Sequence, residues 1–307
     1  MSLYPPPQII HAQVAFRLPD ALRKRGRRTD WTDAGRMGDS PHSFLEGPSF
    51  DREGNLYVVD IPFGRVFRIS PQGEWKLITE YDGNPNGLKI HRDGRIFLAD
   101  YKNGLMLLDP ASGKVTPVLE RRHLERFKGP NDLFFASNGD IWFTDQGPTG
   151  MHDPTGRVYR LNASDGSLDQ ILNNVPSPNG LVLNPDETQL YLAVTRANCV
   201  WRVNLHPDGT VYKAGVFLQL SGANGPDGMA LDEAGNIVVA HVGGGQVWVF
   251  SPLGEPLYRI RSPQGLLTTN VAYGGPERKT LYITESASGC VLRVELPTAG
   301  KLMYSHT

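Results

Sequence analysis

The sequence predicts an all-β chain, a six-bladed β-propeller of four-stranded antiparallel blades around a central channel, and three observations carry that prediction. The 307 residues include 34 glycines and 24 prolines spread evenly along the chain, about one residue in five where roughly one in eight is usual. Such punctuation marks many turns and many short elements, which argues against an all-helical bundle. Six segments repeat one template, the sixth more divergently: a Pro, Glu, Asn or Asp cluster, an apolar stretch, a turn with Gly and an alternating strand that ends in a polar residue. They start at Glu46, Asn86, Asn131, Asn179, Asp227 and Asn270, spaced by 40, 45, 48, 48 and 43 residues. Four short strands per period are the pattern of a propeller, whose blades bury their faces by stacking around an axis. Two stacked β-sandwiches are the alternative, and they need no such period.

Residues 1–45 lie outside the repeat and are read as an N-terminal extension that partly closes the propeller; residues 46–307 form the propeller as a single domain. Within the extension, residues 9–16 alternate enough for one strand, expected to complete the last blade. The basic run Arg23, Lys24, Arg25, Gly26, Arg27, Arg28 is read as a solvated loop or short helix rather than a nucleic-acid patch. In each repeat the first two strands are joined by a turn, with Gly at 54, 94, 139 and 235. The turn is longer in the fourth and sixth repeats, where Pro185-Asp186-Glu187-Thr188 and Pro276-Glu277-Arg278-Lys279 intervene. Third strands follow at 65–69, 105–108, 157–161, 199–203, 246–250 and 290–294. Fourth strands follow in most repeats, as at 75–78 and 115–119.

Several function classes are excluded by composition. Thirty-one Lys and Arg against 32 Asp and Glu give a net charge of −1, so no global field attracts nucleic acid or an anionic membrane. No apolar run approaches the 18 or so residues of a membrane span. The first ten residues hold three prolines and no apolar core, so no secretory leader is expected. Two cysteines, Cys199 and Cys290, make no disulfide framework and suit a reducing compartment. A cytoplasmic location is therefore expected, and no oligomeric interface is read. There is no nucleophile elbow and no His-Glu-x-x-His. Gly243-Gly244-Gly245 precedes no helix and is no phosphate loop. Asn162-Ala163-Ser164 matches a glycosylation sequon without support from a leader.

The chemistry is expected where the repeats begin. The residue opening each repeat precedes the innermost strand, so these residues ring one mouth of the channel. The inner ring is Glu46, Asn86, Asn131, Asn179, Asp227 and Asn270. The residue closing each second strand returns toward the same mouth, giving an outer ring of Asp60, Asp100, Asp145, Thr195, His241 and Glu285. Two carboxylates with several amides make a hard oxygen site that suits Ca²⁺, with Mg²⁺ and Mn²⁺ as alternatives. Zn²⁺ more often takes His or Cys, and the inner ring has neither. Against this, Asn-Gly and Asp-Gly serve turns, and aspartates at strand ends commonly cap them. Glu46 fits the turn reading least. His241 is the one histidine of the rings and a candidate proton carrier.

The segments Leu45-Glu46-Gly47-Pro48, Gly129-Pro130-Asn131-Asp132, Pro178-Asn179-Gly180-Leu181 and Gly225-Pro226-Asp227-Gly228 carry a resemblance. Together they resemble the SMP-30/gluconolactonase/LRE-like family of six-bladed propellers, over most of residues 44–295. The stretch 84–94 and the strand ending Val58-Val59-Asp60 look most like the bacterial lactonase branch that includes Drp35-type enzymes. The resemblance implies one divalent ion, usually calcium, at the bottom of the pocket. It implies Glu46, Asn179 and Asp227 as ligands, Asn131 as a fourth ligand or substrate contact, and Asp227 as the catalytic carboxylate. Asn131 departs from the Drp35-type branch, which looks acidic there.

The function expected on these grounds is metal-dependent hydrolysis of a small lactone, with Asp227 and Asn131 catalytic. The ion would act as a Lewis acid while Asp227 deprotonates water or attacks directly. Asn86, Asp100, Asp145, His241 and Arg196 are the candidate substrate contacts, with Asp60 as a further hydroxyl partner. Tyr101, Trp142 and Phe63 would suit an aromatic or alkyl lactone. Phosphotriester hydrolysis at the same site is the nearest alternative, and a non-catalytic ligand-binding propeller is the other.

Overall fold

In the computed structural model, which describes residues 4–307, the chain is built almost wholly of strands. Residues 1–3 of the extension lie outside the described residues. Blade 1 runs through Leu45–Phe50, Leu56–Asp60, Arg65–Ile69 and Trp75–Glu80. Blades 2 to 5 repeat that antiparallel meander, with inner strands Pro85–Ile90, Pro130–Phe135, Pro178–Leu183 and Gly225–Leu231. Blade 6 takes its inner three strands, Thr268–Gly274, Thr280–Glu285 and Cys290–Glu295, from the end of the chain. Its outermost strand, Gln13–Arg17, comes from the beginning and pairs antiparallel with Cys290–Glu295. The ring is thus closed by joining the two ends of the chain.

The single strand expected over residues 9–16 is in fact two. Gln8–His11 adds a fifth strand, parallel, to the outer edge of blade 5 before Gln13–Arg17 crosses to blade 6. Between them Ala12 N donates to Arg261 O, which pins the crossing. The two segments therefore staple neighbouring blades.

The second strand of each blade is buried on both faces, so its sequence is a continuous apolar run rather than an alternation. Leu56, Val58 and Val59, and likewise Leu190, Leu192, Ala193 and Val194, are almost fully buried. Their side chains interlock with those of the adjoining blade, as where Leu88 and Leu98 of blade 2 pack on Val59 and Val66 of blade 1. Both cysteines are buried and unpaired.

The basic run is spent within the chain. Arg23 donates to Leu18 O and Ser288 O, Arg25 pairs with Asp20, and Arg28 pairs with Asp33. The run leads into one short helix, Asp30–Gly35. Thr29 and Thr32 bond reciprocally at its start, the side chain of each accepting the other's N–H, and this capping box fixes where the helix begins. At the opposite end of the channel the C-terminal segment closes the fold. Tyr304 stacks on Phe135 at a centroid distance of 5.1 Å, and Arg52 holds Ser305 O and Thr307 O. Among the described residues no helix is long and apolar enough to cross a membrane.

Candidate active site at one mouth of the channel

All six inner strands break register at the same place. The ladder to the second strand shifts between Glu46 and Ser49, Pro85 and Gly87, Pro130 and Leu133, Pro178 and Leu181, Pro226 and Met229, and Thr268 and Asn270. A bulge re-aims a side chain that a regular strand would bury against its neighbour. Here it falls on the inner-ring residue in blades 2 to 5 and beside it in blades 1 and 6, where Glu46 and Asn270 still pair with Val59 and Thr284. Four of those residues are followed by Gly, and close approach is the reason. A Cβ at Gly87 would lie 2.7 Å from Asp132 Cα, and one at Gly228 would lie 2.0 Å from Asn270 Cγ. The glycines let neighbouring inner strands converge near the axis.

Glu46, Asn86, Asn131 and Asn179 are buried and Asp227 is half-buried, and the five line a cavity of about 390 Å³. Glu46 Oε2 accepts Gly47 N at 2.6 Å and Asn270 Nδ2 at 2.8 Å, which fixes the carboxylate. Asn131 Nδ2 donates to Gln146 Oε1 at 2.9 Å, and Gln146 Nε2 donates to Ser177 Oγ at 3.0 Å. With its nitrogen so engaged, Asn131 presents oxygen to the cavity. Asn179 hydrogen-bonds the carboxylate of Asp227. Burial, and then the nearby charge of Asp132, push the Glu46 carboxyl up to about 7. Asp227 is raised well above the ordinary aspartate range by burial, then by Glu46 and Asp132; Asn179 and Arg196 oppose the rise. Carboxylates crowded out of water gain most from a cation.

The donor set therefore fits a hard divalent ion. Glu46 and Asp227 would supply charge, and Asn131 and Asn179 would supply neutral oxygens. Among the described residues no three His, Cys, Asp or Glu side chains converge as a ligand group. A site here is completed by amides.

The cavity wall has two origins. Ile61, Tyr101, Val242 and Leu267 come from the blade connections, whereas Trp31 and Arg36 come from the helix of the extension. Trp31 packs on Phe44 at 5.3 Å, and the Arg36 guanidinium lies over the same ring at 4.9 Å. Arg196 and His152 also line the cavity.

The outer ring is placed differently from expectation. Asp100, Asp145 and His241 do not line the cavity. Asp100 accepts Asn84 N, Lys102 N and the Tyr81 hydroxyl. Asp145 accepts Gly129 N at 2.8 Å. Asp60 accepts Phe44 N at 2.6 Å and pairs with Arg65, and Glu285 accepts Leu267 N at 3.2 Å. In each case the carboxylate ties down the segment just before an inner strand, which is the turn-capping role. His241 is held by Gly222 O, Gln246 and Trp248, and burial lowers its pKa. Trp142 packs in the core between blades, and Phe63 is buried outside the cavity lining. Among the candidate substrate contacts, Asn86, Arg196 and Tyr101 do reach the cavity.

Two residues escaped sequence reasoning. Gln146 orients Asn131 and follows the end of a second strand, where no repeat signal points. Asp132 lies beside Asn131 and shares Asn270 with Glu46: Asn270 Nδ2 is 3.3 Å from Asp132 Oδ2. Its signal was available, because it stands in the third repeat where four of the other five have Gly.

These features define a class: a six-bladed propeller with a buried carboxylate and amide site at one mouth of its channel. The pattern of the SMP-30/Gluconolactonase/LRE-like region matches residues 44–287, and the chain belongs to that family. It is 31% identical over 229 residues to the lactonase drp35 of Staphylococcus aureus (strain USA300), covering 71% of this chain and 70% of that protein. It is 32% identical over 289 residues to a gluconolactonase of Zymomonas mobilis, covering 83% and 79%. A solved gluconolactonase structure from Xanthomonas campestris shares the fold, with a TM-score of 0.74 at 24% identity over 93% of this chain and 95% of that one.

Proposed function

We propose that this protein hydrolyses a small lactone at the channel mouth with the help of one divalent ion, calcium before magnesium, manganese or zinc. The observation that supports this most is the sixfold bulge that gathers Glu46, Asp227 and the ring amides on the floor of the cavity. The names of the two relatives, a lactonase and a gluconolactonase, supply the substrate class.

Glu46, Asn131, Asn179 and Asp227 would hold the ion. When bound, it would polarise the lactone carbonyl and stabilise the negative charge that develops on its oxygen. Asp227 is the general base of this reading, and Asn179 orients it. A carboxylate oxygen of Asp227 takes a proton from water as the water oxygen bonds to the carbonyl carbon. The ring C–O bond then breaks, and Asp227 returns the proton to the departing alkoxide, giving a hydroxy acid. Asn131, held by Gln146, donates no proton and positions the ester. Arg196 and Asn86 contact the polar substituents of the ring.

The test is a lactone-hydrolysis panel on purified protein, before and after chelation, with elemental analysis alongside. Activity that vanishes on chelation and returns with calcium is expected. Hydrolysis untouched by chelation, or no lactone turned over, sinks the reading.

A further inference from the structure

The buried channel holds three interacting carboxylates, Glu46, Asp132 and Asp227, and one lysine reaches them. Lys89 lies three residues beyond Asn86 on the inner strand Pro85–Ile90, and its side chain is 10% exposed. Its Nζ donates to Leu88 O at 3.2 Å and lies 3.9 Å from Asp132 Oδ1. Asp132 Oδ1 also accepts Leu133 N at 2.8 Å, and Asp132 Oδ2 faces the Asn270 amide that donates to Glu46. Lys89, Asp132, Asn270 and Glu46 thus form one chain of polar contacts from the middle of the channel to its mouth. On its other side Lys89 adjoins Phe134, Met229 and Val271, which offer no charge, and Lys301 and His306 line the same small cavity.

A buried ammonium among apolar side chains persists only with a partner, and the same holds for a buried carboxylate. Arg196 faces Asp227 from the cavity wall, and Lys89 is the cation beside Asp132. The ammonium also contacts a backbone carbonyl and approaches a carboxylate oxygen, the surroundings a hard cation would take.

We propose that Lys89 is a built-in counter-cation that neutralises Asp132 and limits the channel to one divalent ion. It is a positioning residue: it touches neither substrate nor the expected ligands, and it acts through Asp132 and Asn270 on Glu46. The proposal rests on the metal reading above.

Calcium binding measured by calorimetry and equilibrium dialysis on the full chain tests it, with melting curves to show that each variant is folded. The wild type should take up one calcium per chain. Asp132→Asn strands the ammonium beside the site and should weaken calcium by about tenfold or more. Adding Lys89→Met to Asp132→Asn removes both charges and should bring affinity back to within about threefold of wild type, the signature of coupled charges. Lys89→Met alone should admit a second calcium, and Lys89→Arg should hold the count at one. A double variant that binds no tighter than Asp132→Asn overturns the proposal, even if Lys89→Met alone fails to fold. So does a folded Lys89→Met chain that binds a single calcium with unchanged affinity. A wild-type chain that takes up no ion overturns the metal reading itself, and this proposal with it.

Discussion

The two ends of the propeller channel are built from the same six inner strands, yet they are opposite in character. At the mouth every inner strand is bulged, and the bulge turns a carboxylate or amide toward the axis. Toward the far end the ladders are regular, and the strands present Phe134, Val182, Met229 and Val271 to a small, mainly apolar space that Lys89 and Lys301 also line and that Met303 and His306 close. One end concentrates buried charge that costs stability. The other concentrates buried apolar surface that supplies it. The irregular half of each strand is where chemistry is expected, and the regular half is where the fold is held.

The largest effect should come from Asp227→Asn. Turnover of the best lactone should fall by about 10³-fold or more, as for loss of a general base. The same substitution removes a carboxylate that burial makes costly, so with chelator present the melting temperature should stay level or rise. A variant that keeps wild-type kcat shows Asp227 to be no base. Tyr304→Ala tests the other end. Losing a buried aromatic ring that packs on Phe135 and His91 should cost about 3 kcal/mol in urea unfolding. The kcat of the folded protein should be unchanged. If Tyr304→Ala alters kcat at full folding, the two ends are not separable.

Much of this contrast is legible in the sequence. The blade count and the inner ring follow from the repeat, because Asn-Gly and Asp-Gly recur at one phase. The outer ring was harder. A carboxylate at a strand end reads the same whether it caps a backbone N–H or faces a ligand, and only the fold shows Asp100 and Asp145 turned to Asn84 N and Gly129 N. The bulges are invisible in sequence because no residue type demands them; they depend on pairing between strands. Gln146 and Lys89 matter through contacts across blades, which a repeat read along the chain does not reveal. The crossing at Ala12 was missed for a related reason. Two short strands in tandem share one alternation, and only their partners, on different blades, separate them.

The cost of the charged end has a pH signature. The Glu46 carboxyl is raised from 4.5 to about 7 by burial and then by Asp132. Between those values the unfolded chain has released its proton and the ion-free folded chain retains it, so stability falls as pH rises through that window. A shift of this size corresponds to roughly 3 kcal/mol as an upper figure. Calcium, by favouring the ionised carboxylate, should reverse the slope. Paired melting curves in chelator and in calcium, from pH 4.5 to 7.5, isolate the site from the paired surface carboxylates, which contribute equally to both. Parallel curves would mean that Glu46 does not bind the ion.

The smallest effect should come from the helix Asp30–Gly35, which belongs to neither end of the strands and yet walls the mouth. Trp31 rests on Phe44 and lines the cavity, so it adds apolar surface above the polar floor without touching the ring. Trp31→Ala should therefore raise KM about fivefold, roughly 1 kcal/mol of lost contact, and leave kcat within about twofold. The split between the two constants is informative. A fall in kcat at constant KM would mean that the helix orders the floor through Arg36 on Phe44, two residues before Glu46. An unchanged KM for both small and bulky lactones would mean that substrate never reaches the extension, and that the six bulged strands alone select it.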